Sequence, residues 1–96
     1  MSIELQLIDI ENLILEIIFL DFEVENYSII SNPPVNEFYK MEELENKHFA
    51  NRDYRFIAIN QKTWKSLVEK KCDLYVVAED MNGATQYSET IQPYKL

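Results

Sequence analysis

Few residues in this chain could do nucleophilic or metal chemistry. It holds one histidine, His48, and one cysteine, Cys72. A Cys–His pair acts as nucleophile and base only when the thiol is activated and within hydrogen-bond reach of the imidazole. Cys72 follows Val68 and precedes Asp73 at a predicted helix-to-strand junction, a place for a small buried hydrophobe with an inert thiol. His48 and Cys72 do not supply the four ligands of a structural zinc site. A calcium loop needs oxygen ligands alternating around a glycine, and the alternation Asp21, Glu23, Glu25 has none. Gly83 is the only glycine, which excludes the Gly-rich phosphate loops. Carboxylate pairs suited to glycoside chemistry are plentiful, but nothing in the sequence encloses them. The expectation is a protein with no catalytic residue, no metal and no cofactor. An enzyme would need an unusual pocket built from Tyr, Asp and Arg.

Negative charge is what the chain has in abundance. It carries 17 Asp+Glu against 9 Lys+Arg, a formal net charge of −8. The acids are unevenly placed. Residues 1–39 contain Glu4, Asp9, Glu11, Glu16, Asp21, Glu23, Glu25 and Glu37 and not one Lys or Arg, whereas the segment from Arg52 onward is nearly balanced. Such a field repels nucleic acid and anionic membranes and steers the protein toward basic surfaces on other proteins. If residues 20–25 are extended, Asp21, Glu23 and Glu25 point the same way, about 6.6 Å apart. That is close to the phosphate spacing along a nucleic-acid strand, roughly 6–7 Å. Glu42, Glu43 and Glu45 form a second acidic group, and Tyr27, Phe38 and Tyr39 are nearby aromatic anchors of the kind that dominate interface energies. These nine residues are the expected partner-binding surface. The function they imply is a non-enzymatic module that inhibits or neutralises a basic protein, possessing the charge pattern of a nucleic-acid mimic, as immunity, anti-defence and nuclease-inhibitor proteins do. Tyr54, Arg55 and Phe56 are the one local mixture of aromatics with a base; the expectation there is that Phe56 is core and Arg55 exposed.

The elements that must position these residues read as follows. Ile3, Leu5 and Leu7 alternate with polar residues, the period of a strand. Residues 9–22 admit a helix capped by Asp9, but its polar residues would fall all around the helix, so strands are preferred. Glu11-Asn12 and Glu25-Asn26 both sit between apolar runs, and Asn tolerates positive φ, so each is read as a tight turn. The result is a meander of strands at about 2–10, 13–24 and 27–31. Pro33 and Pro34 end it. Asn36 can cap a helix over about 37–48 with Phe38, Met41 and Leu44 inward. A strand at 54–59, a helix at about 61–71 with Trp64, Leu67 and Val68 inward, a strand at 74–78, a turn at Asn82-Gly83 and a strand at about 84–91 complete the pattern. The predicted class is α+β: a mainly antiparallel sheet, in the order β-β-β-α-β-α-β-β, with two helices on one face.

The 96 residues make a single small acidic domain over 1–96. Met1-Ser2-Ile3-Glu4 lacks the basic and apolar stretches of a leader, the longest apolar run falls short of the ~20 residues of a spanning helix, and a lone cysteine forms no internal disulfide. A cytoplasmic protein, with neither membrane nor direct nucleic-acid contact, is expected. Residues 13–20 carry apolar side chains on both faces of a strand. The second reading is therefore an assembly subunit that forms a homodimer through its sheet at Ile14, Ile17 and Phe19.

Overall fold

The computed structural model describes residues 2–21, 23–36 and 41–96. It is α+β and mainly antiparallel. The strands are β1 (Ser2–Asp9), β2 (Ile14–Leu20), β3 (Val24–Asn32), β4 (Glu42–Phe49), β5 (Arg52–Ala58), β6 (Asp73–Asp80) and β7 (Thr85–Tyr87). One α-helix, α1 (Gln61–Glu69), lies between β5 and β6, and a 3-10 turn covers Pro93–Lys95. Four strands form one sheet in the order β1-β2-β5-β4, and three form a second in the order β3-β6-β7.

The β1–β2 hairpin follows the predicted alternation. Ile3, Leu5 and Leu7 lie opposite Phe19, Ile17 and Leu15, and directly opposed residues share a face. That face turns inward. Leu15, Ile17 and Phe19 are fully buried and join Ile57 of β5, Ile29 of β3 and Leu74, Val76 and Ala78 of β6 in one core between the sheets. Ile17 and Phe19 therefore serve the protein's own interior and not a surface for a second copy; Ile14, half-buried on the opposite face, is the only one of the three that a partner could reach. The turn is organised by Asp9, whose carboxylate accepts the N–H groups of Glu11 and Asn12, both at 3.0 Å. The positive φ falls on Leu13 (54°) rather than on Asn12.

Two expectations fail at the next elements. β3 does not continue the meander: after Leu20 the chain bends at Asp21 (φ 52°), whose N–H bonds the Asn51 carbonyl at 2.9 Å, and crosses to the other sheet. Glu25-Asn26 is no turn but part of β3, where the register with β6 shifts. The predicted helix over 37–48 is replaced, where the structure describes it, by β4; residues 37–40 lie outside the described residues. The Phe38–Met41–Leu44 spacing misled because Leu44 occupies a register shift between Glu43 and Glu45 and belongs to no helical stripe. Among the described residues there is one α-helix in place of two, so no pair of helices covers a sheet face.

The predicted second helix forms as expected. Asn60 caps α1, its side chain accepting the Thr63 N–H at 2.7 Å. Its inner side buries Thr63 and Leu67. The helix ends in a Schellman arrangement, with Lys71 N–H bonding Val68 O and Cys72 N–H bonding Leu67 O, and Lys71 taking the left-handed conformation (φ 51°). Cys72 is fully buried, its thiol donating to Pro33 O at 3.1 Å. Burial pushes that thiol's pKa up, away from nucleophilic use. After β6 the turn at Asn82-Gly83 forms, Gly83 has φ +83°, and Asp80 accepts the N–H groups of Asn82 and Ala84. Among the described residues, no helix is long and apolar enough to cross a membrane.

Candidate binding seam between the sheet edges

Each sheet ends in an unpaired strand on the same side of the molecule, β3 in one and β4 in the other. Two contacts define how these edges meet. The Tyr27 hydroxyl of β3 lies beside the Glu43 carboxylate of β4, close enough for that charge to raise the phenol pKa. Further along, Glu23, just before β3, and His48 of β4 line one cleft. Higher numbers on β3 thus match lower numbers on β4, so the edges pass each other antiparallel. We call the space between them the seam.

The register shows what fills it. On the inward face, Glu43 lies opposite Ile57, Asn46 opposite Arg55, and His48 opposite Asp53. Arg55 and Asp53 in turn lie opposite Ile17 and Phe19. The inner face of the four-stranded sheet is therefore apolar over β1 and β2 and polar toward β4. Arg55 is the hub. Its Nε is 3.4 Å from Glu43 Oε1, and its guanidinium also contacts Asp53 and donates to Tyr54 O at 3.4 Å. The Arg55 and Asp53 side chains are only 18 % and 19 % exposed, against 40 % for Glu43. A guanidinium with two carboxylates is how a charge at this depth is tolerated.

Tyr27 closes the inner end. Its ring lies 5.7 Å from that of Phe19 across the core. Burial first, and then the adjacent Glu43 charge, push its phenol pKa up to about 12. At the outer end, Asp21, Glu23, His48, Ala50 and Asn51 line an open cleft of about 380 Å³. Asp21, Ala50 and Asn51 also border a second cleft, of about 450 Å³, with Ser2, Leu20 and Arg52.

The residues predicted to bind a partner are distributed as follows. Asp21, Glu23, Tyr27 and Glu43 come together along the seam. Asp21, Glu23 and Glu25 do not form the expected row on one strand, because the corner between the sheets falls among them; all three are exposed. Glu42 and Glu45 are exposed and point to the other face of β4. Phe38 and Tyr39 lie outside the described residues.

Sequence reasoning missed Asp53 and Arg55, and it inverted Arg55 and Phe56. Arg55 faces inward, whereas Phe56 is half-buried on the outer face beneath Lys47, whose Nζ is 5.7 Å from the ring centroid. The signal was there: Ile57 and Ile59 are buried, and strict alternation along β5 sends Arg55 and Asp53 to the same side. Chemically, the seam offers carboxylates around one saturated guanidinium, which suits recognition of positive charge. Among the described residues, no three His, Cys, Asp or Glu side chains converge in a way that could hold a metal ion. Compared with family models, with curated proteins and with solved structures, the chain matches none.

Proposed function

We propose that the protein is a non-enzymatic binding module that captures a basic protein and neutralises its charged surface, with the β3–β4 seam as the docking site. A partner whose basic surface serves nucleic acid would be blocked by such contact, which is the inhibitory role that immunity and anti-defence proteins play. One observation carries the reading. Members of two acidic groups far apart in sequence meet across the seam: Glu43 and Asp53 surround Arg55 at its inner end, and Asp21 and Glu23 line the open cleft beside His48 at its outer end. The exposed carboxylates would speed encounter and set orientation, and half-buried Tyr27 would supply lasting contact.

The test uses an arginine-rich peptide as probe, followed by fluorescence anisotropy. Binding is expected to weaken steeply between about 0.05 and 0.5 M salt, as exposed charges are screened. Asp21→Lys with Glu23→Lys should slow association about tenfold, since rim charges act mainly on the association rate. Glu69→Lys with Glu89→Lys makes the same change in net charge away from the seam and should have a much smaller effect. Salt-insensitive binding, or equal losses in the two double variants, would defeat the proposal.

A further inference from the structure

β3 belongs to two surfaces. Tyr27 faces the seam, whereas Asn26, Ser28 and Ile30 alternate with the inward residues and point to the outer face of the three-stranded sheet. There Ile30 lies opposite Tyr75, and Ser28 lies opposite Val77, which in turn lies opposite Tyr87. Ile30, Tyr75 and Val77 are half-buried and Tyr87 is 65 % exposed, and none of the four belongs to the core between the sheets. The two tyrosine rings lie 6.4 Å apart, tilted by 45°. The helix and the C-terminal 3-10 turn pack chiefly on each other and not on this face. It is an aromatic and aliphatic surface open to water.

The charges on this face are of one sign. The outward residues of β6 read Asp73, Tyr75, Val77, Glu79, so a carboxylate stands at each end of the patch. No residue of β3, and none from Cys72 to Tyr94, is Lys, Arg or His. A second copy is therefore a poor cover, because two such faces would set carboxylate against carboxylate. A cation fits. Tyrosine rings present the negative face of their quadrupole, and a planar guanidinium stacks on such a ring while its N–H groups donate to carboxylates.

We propose that the docking surface continues from the seam over β3 onto this face, and that the partner places an arginine side chain against Tyr75 and Tyr87. The proposal rests on the seam reading and names the partner's chemistry more closely: a basic segment with an arginine that reaches past β3. The reach is short, two strand spacings or about 10 Å from β3 to β7. The seam carboxylates set the rate of encounter, and the tyrosine face holds the partner once it has bound.

The arginine-rich peptide is again the probe, with association and dissociation followed separately by stopped-flow anisotropy on the full chain. Tyr75→Ala and Tyr87→Ala should each speed dissociation roughly two- to fivefold, as loss of an exposed cation–π contact does, and leave association unchanged. Tyr87→Phe keeps the ring and should dissociate as the wild type does. A lysine peptide of equal charge should associate as fast and dissociate faster. In nuclear magnetic resonance spectra the arginine peptide should shift the amides of Tyr75, Val77 and Tyr87 as well as those along the seam. Alanine variants that dissociate no faster, a Tyr87→Phe variant that behaves like Tyr87→Ala, a lysine peptide held as long as the arginine one, or shifts confined to the seam would each overturn this inference and leave the seam reading standing. Shifts at Tyr87 that grow with protein concentration in the absence of peptide would make a second copy the occupant and overturn it likewise. A peptide that does not bind at all would defeat both.

Discussion

Replacing Arg55 with methionine is the sharpest probe of the seam. The side chain keeps its length and loses its charge, leaving Asp53 and Glu43 on the inner face without their shared counter-ion. The cost follows from depth. Exposed ion pairs contribute about 0–1 kcal/mol. Breaking a fully buried one costs about 3–5 kcal/mol, because a charge is stranded. Arg55 and Asp53, at 18 % and 19 % exposed, lie between these cases, and Glu43, at 40 %, regains water on release. A loss of about 2 kcal/mol is expected, a value in the range of hydrogen bonds to charged groups. For a domain of this size that lowers the melting temperature by roughly 8–16 °C. Urea denaturation followed by tryptophan fluorescence measures it, and the slope with denaturant should stay unchanged. Asp53→Asn in the Arg55→Met background should recover part of the loss, since it removes the stranded charge. Lys47→Met, which breaks the exposed Lys47–Glu45 pair, should shift stability by no more than about 0.5 kcal/mol. An Arg55→Met loss as small as that of Lys47→Met would refute the reasoning, as would a further loss on adding Asp53→Asn.

Two other perturbations have defined outcomes. Tyr27 has its phenol pKa raised from 10.0 to about 12 in the folded protein, so its contribution to stability is full below pH 10 and is lost as the pH climbs through the folded value; after discounting for its partial exposure this amounts to roughly 1–2 kcal/mol. Tyr27→Phe should flatten the alkaline decline in urea-measured stability, and a decline of unchanged steepness would place the titrating group elsewhere. Lys71→Gly should stabilise the protein by up to about 1 kcal/mol, because glycine adopts the left-handed conformation at this helix terminus without the side-chain penalty; a lower melting temperature would show that the lysine stem does more than tolerate its conformation.

How much of this was legible in the sequence depends on burial. β1, β2, β5 and β6 announce themselves because one face of each enters the core, and Asn60 and Asn82-Gly83 mark boundaries through local chemistry alone. β4 carries no such mark. All its side chains are exposed, so nothing imposes a period of two on them, and the register shift at Leu44 breaks what alternation remains. The transfer of β3 to the second sheet was also illegible, since it is set by packing between distant strands and a bend at Asp21. Of the seam, the acidic members were visible as composition. Their convergence was not, because it depends on where β3 and β4 lie in space. Arg55 was readable from alternation, but a charged residue among aromatics was assumed to seek water.

The placement of β4 has a consequence for how the molecule breathes. It is held by backbone pairing to β5 on one side and contributes no buried side chain, whereas β2 and β6 are anchored by residues with no exposure at all. Opening free energy is lowest where few apolar contacts are lost. In hydrogen–deuterium exchange, the amides of β4 should therefore exchange well before those of β2 and β6, in a partial opening that spares the hydrophobic interior. The wall that carries Glu43 and His48 is thus cheaper to displace than the strands that anchor the core, and the width of the gap beside it can adapt to a guest without global unfolding.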